Sequence, residues 1–219
     1  MRLTGPESTA MRPSVAAAGK YVHVTWFDRR DSTKEWDWEV YTKRSMDGGA
    51  SWGDDVRMTR TPTHTRHPEI ATSPGGIVCC VWEDRQVFDG KRWSGDPALY
   101  TSISKDDGAT WGEPRRITEV NAPNGWATHA KMCASGSTIH LAWTDAPDGQ
   151  DRPRAAFYMN SPDGGLTWGA PERLTSAADG ECWAEAVGGT ESYAVVLIRK
   201  DDKPYWRRRD LEVGEGGRR

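Results

Sequence analysis

The chain has 219 residues, of which 36% are hydrophobic and 28% charged, a composition typical of a soluble protein with a sizeable core. A net charge of −3 argues against a general nucleic-acid-binding protein. No run of 18 apolar residues occurs, and the first residues lack the apolar stretch of a secretory signal. We therefore expect a soluble protein with no membrane partner, and the compartment stays open.

Twelve tryptophans, 23 glycines and 13 prolines predict many short strands joined by tight turns rather than long helices. The four cysteines contain no C-x-x-C pair, and apolar neighbours favour buried free thiols over a zinc site or a disulfide framework. They are Cys79, Cys80, Cys133 and Cys182. We expect neither a metal nor a cofactor.

The first unit of the chain predicts four strands, near residues 14–18, 21–27, 39–44 and 55–59. Its second strand ends in tryptophan and, two residues later, an acid, and its third strand runs into the pattern S-x-D-x-G-x-[ST]-W at residues 45–52. The same order recurs with patterns at residues 104–111 and 161–168, so the aspartates of the patterns are 59 and 57 residues apart. A fourth copy begins with the strand at residues 193–198 and has lost the pattern.

A unit of four short antiparallel strands cannot bury both of its faces alone, so it must stack on its neighbours, as the blades of a β-propeller do. The predicted fold class is therefore all-β, a single propeller domain of four-stranded antiparallel blades over residues 1–219. The expected units are blade 1 at about 11–64, blade 2 at about 65–126, blade 3 at about 127–182, a partial blade 4 at about 183–210 and a frayed tail at 211–219.

The repeated pattern predicts a turn rather than a catalytic or metal site. Its glycines allow a positive φ, the aspartate can accept backbone N–H groups of the turn, and the tryptophan can pack against the sheet. The residues with this predicted structural role are Asp47, Trp52, Asp106, Trp111, Asp163 and Trp168. In an up-and-down blade these turns lie at one end and the first strand starts at the other. We expect any ligand site at the end where the first strands start, which is the far end from the turns.

Superposing the units on their tryptophans brings two sets of polar residues together at that far end. One set precedes each first strand: Arg12, His67 and His129, with Arg66 beside them. The other follows each tryptophan strand: Asp28, Asp84 and Asp145, with Arg29 and Arg85 after the first two. Arginine can bind a carboxylate through two parallel hydrogen bonds, which suits a small anionic or polyhydroxylated ligand. The alternative is that these residues form ion pairs between blades or cap loops.

Two long loops at the same end carry tryptophans. Trp36 and Trp93 could stack on sugar rings, because the apolar face of a pyranose matches an indole. The alternative is that they shield the loop bases from water.

The three patterns with their tryptophan strands resemble the Asp-box, or BNR, repeats of the sialidase (neuraminidase) superfamily over about residues 11–206. The resemblance implies a six-bladed propeller whose boxes lie away from the active site. On that basis the chain holds about three and a half blades, and two blade faces lack a neighbour. We expect self-association that completes the ring, with a dimer as the prediction.

The resemblance also implies candidate catalytic residues. Arg12-Pro13 stands where the family has an R-I-P motif, and Asp31 or Asp37 lies in the loop that would hold the acid/base. The isoleucine of the motif is missing, and no later segment offers two further clamp arginines or a tyrosine with its glutamate partner. The preferred hypothesis is therefore a glycan- or protein-binding or scaffold propeller. An exo-α-sialidase-like glycoside hydrolase, active only as a complete or assembled propeller, is the alternative, and an inert truncated product is a third.

Overall fold

The structure, a computed structural model, describes residues 2–5, 7–31, 37–61, 64–85, 97–118, 126–148 and 153–211, with Arg85 described by its backbone alone. These ranges contain fifteen strands and two single-turn 3-10 helices, Pro74–Gly76 and Ala177–Asp179. No helix in these ranges is long and apolar enough to cross a membrane.

The strands form four antiparallel sheets in chain order. The first sheet contains β1 Met11–Ala18, β2 Tyr21–Asp28, β3 Glu39–Ser45 and β4 Val56–Arg57. The second contains β5 His64–Ser73, β6 Ile77–Arg85, β7 Ala98–Ser104 and β8 Arg115–Arg116. The third contains β9 Thr128–Ser135, β10 Thr138–Asp145, β11 Ala155–Ser161 and β12 Glu172–Arg173. The fourth contains β13 Cys182–Gly189, β14 Tyr193–Lys200 and β15 Lys203–Asp210.

The first strands of the four sheets are neighbours in space. β1 contacts β5, β5 contacts β9, and β9 contacts β13, although these strands belong to different sheets. Each sheet then runs outwards in sequence order from its first strand. This is the arrangement of propeller blades around an axis, and the all-β prediction of three complete blades and a partial fourth is confirmed.

The core lies between successive blades, because both faces of a tryptophan strand are covered. Trp82 packs with Val40 and Cys80 between the first two blades. Trp143 and Leu99 belong to the larger cluster between the second and third blades. A third cluster joins the third and fourth blades through residues that include Tyr158 and Val196.

The outermost strand of the first blade is shorter than the sequence predicts. Only Val56–Arg57 pairs with β3 as a strand, although we expected residues 55–59. The N–H of Met58 still donates to Val40 O at 2.8 Å, but the N–H of Val40 donates to the side-chain hydroxyl of Thr59 at 2.9 Å. The ladder ends because a side chain replaces the backbone acceptor.

All four cysteines are free thiols, as the sequence predicts. Three are buried and Cys133 is half-buried. Burial raises the pKa of the Cys79 thiol to about 12, so this side chain behaves as a small apolar group at neutral pH.

The two end blades each have a face that no described residue covers. In β1 the side chain of Val15 is 66% exposed, whereas the equivalent inner strand β5 has no exposed residue. At the other end, every residue of β15 except Arg209 is exposed, and Trp206 is 62% exposed. Apolar groups therefore face water on both open faces.

Candidate functional site

The strand register separates two ends of the propeller. Met11 pairs with Phe27 and Asp28 pairs with Glu39, so the beginning of β1 lies at the same end as the end of β2 and the beginning of β3. The S-x-D-x-G-x-[ST]-W turns at 45–52, 104–111 and 161–168, called the box turns below, follow the ends of β3, β7 and β11. They therefore lie at the opposite end, called the box end. The end where the inner strands begin is called the axial end.

Each box turn is closed by the same hydrogen bonds. In the first, Ser45 Oγ donates to Asp47 Oδ1 at 2.7 Å, the N–H of Ser51 donates to the same oxygen at 2.8 Å, and the N–H of Gly49 donates to Ser45 Oγ at 2.8 Å. The hydrogen bonds from Ser51 and Ser45 lower the pKa of Asp47 to about 2. Equivalent bonds hold Asp106 and Asp163. These carboxylates are occupied by their own turns.

The tryptophans that end the box turns pack against the blades. Trp111 contacts the cluster around Trp82, and Trp168 contacts the cluster around Trp143. In the first turn, Trp52 Nε1 donates to Gly49 O at 3.1 Å. These tryptophans therefore contact their own turns and the blades beside them.

At the axial end, Arg12, His67 and His129 share one unusual backbone conformation. Their φ angles are +48°, +50° and +52°, in the left-handed region that costs an ordinary L-residue about 1–2 kcal/mol. Each lies where the pairing of an inner strand with its neighbour shifts register, which is the mark of a β-bulge. A bulge re-aims a side chain, and here three successive blades carry the same bulge. Ala184 stands at this position in the fourth blade.

The three bulges border one cavity of about 120 Å³ on the axis. Its wall contains Arg12, His67 and His129 together with Glu69 and Lys131. The two imidazole rings are 4.7 Å apart between centroids. Lys131 Nζ lies 3.1 Å from Glu69 Oε1, so this pair of charges is satisfied within the wall.

Arg12 differs from the other arginines at the axial end. It is exposed and makes no hydrogen bond or ion pair with any residue that the structure describes. By contrast, Arg30 pairs with Asp28 at 2.7 Å and with Asp55 at 2.5 Å, and Arg66 pairs with Glu83 at 2.9 Å. The guanidinium of Arg12 is therefore available to a ligand in the cavity.

Glu83 is the residue at this end that the sequence analysis did not single out. Its side chain is fully buried, and Arg66 Nε and Nη2 both donate to its Oε1, at 3.0 and 2.9 Å. His67 Nδ1 donates to its Oε2 at 3.1 Å, and Thr128 Oγ1 donates to the same oxygen. Burial by itself would raise the pKa of this carboxyl, but the hydrogen bond from His67 and the charge of Arg66 outweigh it and lower the pKa. Glu83 is therefore a buried carboxylate at neutral pH.

His129 is a neutral imidazole at neutral pH. Burial, with the charge of His67 as a smaller cause, lowers its pKa to about 4. Its Nδ1 lies 2.9 Å from Thr128 Oγ1, and its ring meets the ring of Trp183 edge to face at 5.3 Å. A neutral imidazole has one nitrogen with a free lone pair, which can accept a hydrogen bond or bind a metal.

The aspartates at the ends of the tryptophan strands do not line the axial cavity. Asp28 is fully buried and accepts hydrogen bonds from Ser8 Oγ, Thr9 N and Arg30 Nε at 2.5, 3.0 and 2.8 Å. Asp145 accepts bonds from Trp126 N at 3.0 Å and Ala146 N at 2.7 Å, and burial raises its pKa. Both hold loops in place.

Asp84, the third member of that set, lies elsewhere. It borders a second cavity, of about 540 Å³, whose wall contains Trp82, Tyr100 and Trp111 from the same blade and Arg57 from the first. Equivalent backbone positions in the repeats therefore do not give equivalent surroundings.

The two candidate catalytic aspartates lie in the first blade. Asp31 is 49% exposed, accepts a hydrogen bond from Tyr41 Oη at 2.6 Å and lies 3.6 Å from Arg57 Nη1. Burial and the hydrogen bond to Asp31 raise the pKa of Tyr41, so its hydroxyl stays protonated. Asp37 is half-buried, and its Oδ1 is buried without a hydrogen-bond partner among the described residues.

The remaining predicted residues are only partly described. Arg29 lies over the ring of Trp38 at 5.5 Å. The side chain of Arg85 and all of Trp36 and Trp93 lie outside the described residues.

Comparison of the whole fold with solved structures identifies its type. A Hadza microbial sialidase superposes with a TM-score of 0.66 at 17% identity, covering 91% of this chain and 43% of that one. A Trypanosoma rangeli sialidase, solved with the inhibitor DANA, gives a TM-score of 0.60 at 16% identity, covering 89% of this chain and 35% of that one. The GH93 α-L-arabinofuranosidase of Fusarium graminearum, solved with arabinobiose, gives a TM-score of 0.61 at 14% identity, covering 91% of this chain and 61% of that one.

The chain has a sialidase-like β-propeller fold. It spans less than two thirds of the length of each of these three structures. No protein-family model matches the sequence, and no curated protein matches it significantly. At these levels of identity the likeness shows the fold alone.

Proposed function

We propose that this sialidase-like propeller is a glycan-binding module that takes an anionic group of its ligand at the axial cavity. The observation that carries the proposal is the guanidinium of Arg12, which no described residue binds, beside a cavity of about 120 Å³ whose wall also contains His67 and His129. That volume accommodates one carboxylate or hydroxyl group of a sugar rather than a whole ring. The guanidinium can bind a carboxylate in two parallel hydrogen bonds.

Half-buried tryptophans and arginines lie beside the cavity. Trp183 packs against His129 and carries the guanidinium of Arg154 on its ring, and Trp38 carries that of Arg29. Arginines held on aromatic rings in this way can donate hydrogen bonds to a polyhydroxylated ligand. Trp36 and Trp93 would extend this border if their loops lie at the same end, as the repeat predicts.

The test is a calorimetric titration with sialyllactose and with lactose, which lacks the carboxylate. We expect sialyllactose to bind and lactose to bind more weakly. Arg12→Gln should weaken sialyllactose binding about 10- to 100-fold. This is the loss in affinity that corresponds to about 1.5–3 kcal/mol, the contribution of a hydrogen bond to a charged group. Lys20→Gln, which removes an exposed cation at the box end, should leave the affinity unchanged. Equal affinity of the wild type and Arg12→Gln would contradict the proposal.

Hydrolysis is the second candidate function, and one observation favours it. Asp31 and Asp37 are carboxylates that the fold does not fully use, since Asp31 is 49% exposed and Asp37 has a buried oxygen without a partner among the described residues. A fluorogenic sialoside separates the two functions. Turnover that falls in Asp31→Ala or Asp37→Ala would support a glycoside hydrolase, whereas binding without turnover supports the module.

We also propose that two copies of the chain pair through their open blade faces and complete a ring. Val15 on β1 and Trp206 on β15 are 66% and 62% exposed, and each lies where a further blade would pack. Light scattering should give about twice the 24.4 kDa mass of one chain. Trp206→Ser should shift the protein toward single chains, whereas Lys105→Ser, at an exposed position in a box turn, should not. A single-chain mass at every concentration would contradict the dimer.

A further inference from the structure

His67, Glu83 and His129 come from three strands of two blades, yet their potential ligand atoms all lie within 4.8 Å of one another. His67 Nδ1 and Glu83 Oε2 are already 3.1 Å apart. Ligands at about 2.0–2.2 Å from a tetrahedral ion are about 3.4 Å from one another. Small rotations of His129 would therefore bring the third ligand to the same distance.

Neighbouring residues hold Glu83 and His129 by hydrogen bonds, as residues around a metal site hold the metal ligands. Arg66 binds Glu83 Oε1 with two hydrogen bonds, which fixes the carboxylate and leaves Oε2 turned toward His67. Thr128 Oγ1 contacts both Glu83 Oε2 and His129 Nδ1. Ligating carboxylates and imidazoles in proteins are typically held by hydrogen bonds of this kind.

The backbone conformations point to the same centre. His67 and His129 both adopt a left-handed φ, a strained state that brings their rings to 4.7 Å. Strain of this kind persists where the surrounding structure over-determines it, and it clusters at ligand-binding sites.

The charges permit a cation at this point. The carboxylate of Glu83 is negative, Arg66 is paired with it, and Lys131 is paired with Glu69. For Nδ1 of His67 to bind a metal, the proton that it donates to Glu83 Oε2 must be released or carried on Nε2 instead. Arg12, on the other side of the cavity, would attract an anion to the coordination positions that the protein leaves open.

We propose that His67, Glu83 and His129 bind one divalent transition-metal ion, with open coordination positions facing the axial cavity. Two imidazoles and a carboxylate with open positions are the ligand set of catalytic zinc and of non-haem iron sites. The inference departs from our expectation of no metal, because Glu83 is present in one blade alone and the repeat does not reveal it. It goes beyond glycan binding and does not depend on it.

The test is calorimetric titration of the tag-free protein, stripped with chelator, with Zn²⁺ in the absence of glycan. We expect one Zn²⁺ per chain. His129→Ala and His67→Ala should each weaken binding at least about 100-fold, because loss of outer partners alone costs about 10–100-fold. Co²⁺ supplies a second measurement, since its visible absorption should appear with the wild type and be lost in both variants.

His64→Gln is the matched control, because His64 lies on β5 three residues before His67 and outside the cluster. It should bind Zn²⁺ as the wild type does. No binding to the wild type, or equal binding to the wild type and His129→Ala, would overturn the proposal. Circular dichroism is used to check that each variant is folded, so that a lost signal reports the site. Since glycan is absent, failure of zinc binding leaves the glycan proposal standing.

Discussion

Replacing Glu83 with glutamine is expected to lower the free energy of unfolding by about 3 kcal/mol, the lower end of the range for removing one partner of a buried ion pair. Glu83 is fully buried, whereas the guanidinium of Arg66 is 19% exposed and can recover part of its hydration. Glutamine keeps the size of the side chain, so the loss reports the charge and its hydrogen bonds rather than a cavity.

The measurement is urea unfolding at pH 7 with chelator present, so that a bound metal contributes nothing. Glu185→Gln is the control. Glu185 pairs with Arg199 at 2.7 Å, but it is 47% exposed, and an exposed pair contributes about 0–1 kcal/mol. If both variants lose the same stability, the charge of Glu83 does not stabilise the fold more than that of an exposed ion pair.

The repeat made most of the fold predictable. Three copies of one turn with tryptophan strands in step determine the blade order, the box end and the axial end, because strands in an antiparallel blade alternate direction. The shared place of Arg12, His67 and His129 was predictable for the same reason, because equivalent positions in a repeat lie at equivalent positions around the axis. The sequence placed them before the first strands, whereas they lie within β1, β5 and β9 at bulges that the sequence did not predict.

Glu83 was missed because it breaks the repeat. Phe27 and Thr144 stand at its position in the neighbouring blades, so superposing the units shows no shared acid. A different signal was present: Glu83 follows Trp82 directly after a run of apolar residues, and a charge on a strand that is buried on both faces needs a partner. The partner could not be read from the sequence, because Thr128 and Arg66 meet it through the packing of one blade on the next and through the pairing of β5 with β6.

The hydrogen-bond partners of the aspartates could not be predicted from the sequence either. Asp28 and Asp145 occupy matching positions, but Asp28 holds Ser8 and Arg30 whereas Asp145 holds Trp126 and Ala146. These partners come from segments outside the repeated strands, where the units differ in sequence. The repeated strands and turns predict the arrangement of the blades. The segments between them, which differ from unit to unit, determine which carboxylates already have hydrogen-bond partners.

Replacing Gly165 with alanine is expected to destabilise the protein by about 2–5 kcal/mol, whereas the same change at Gly49 should cost about 1–2 kcal/mol. The two glycines hold the same place in the third and first box turns, with φ of +95° and +93°. The backbone penalty for alanine is therefore the same at both.

The difference comes from the neighbouring blade. A Cβ on Gly165 would lie 2.8 Å from Cys79 Sγ and 2.8 Å from Ile103 Cδ1, both in the preceding blade. A Cβ on Gly49 would meet only Trp52, at 3.8 Å, within its own turn. Overpacking of a filled core costs about 1–3 kcal/mol, and this is the excess expected at Gly165.

Urea unfolding of both variants measures the excess, at a protein concentration low enough for light scattering to show single chains. Under that condition no partner covers the first box turn, so Gly49→Ala reports the backbone alone. Equal losses would mean that the third box turn does not pack into the second blade as the structure has it. The larger loss at Gly165 would show that the third box turn fastens its blade to the second one, whereas the first turn has no preceding blade among the described residues.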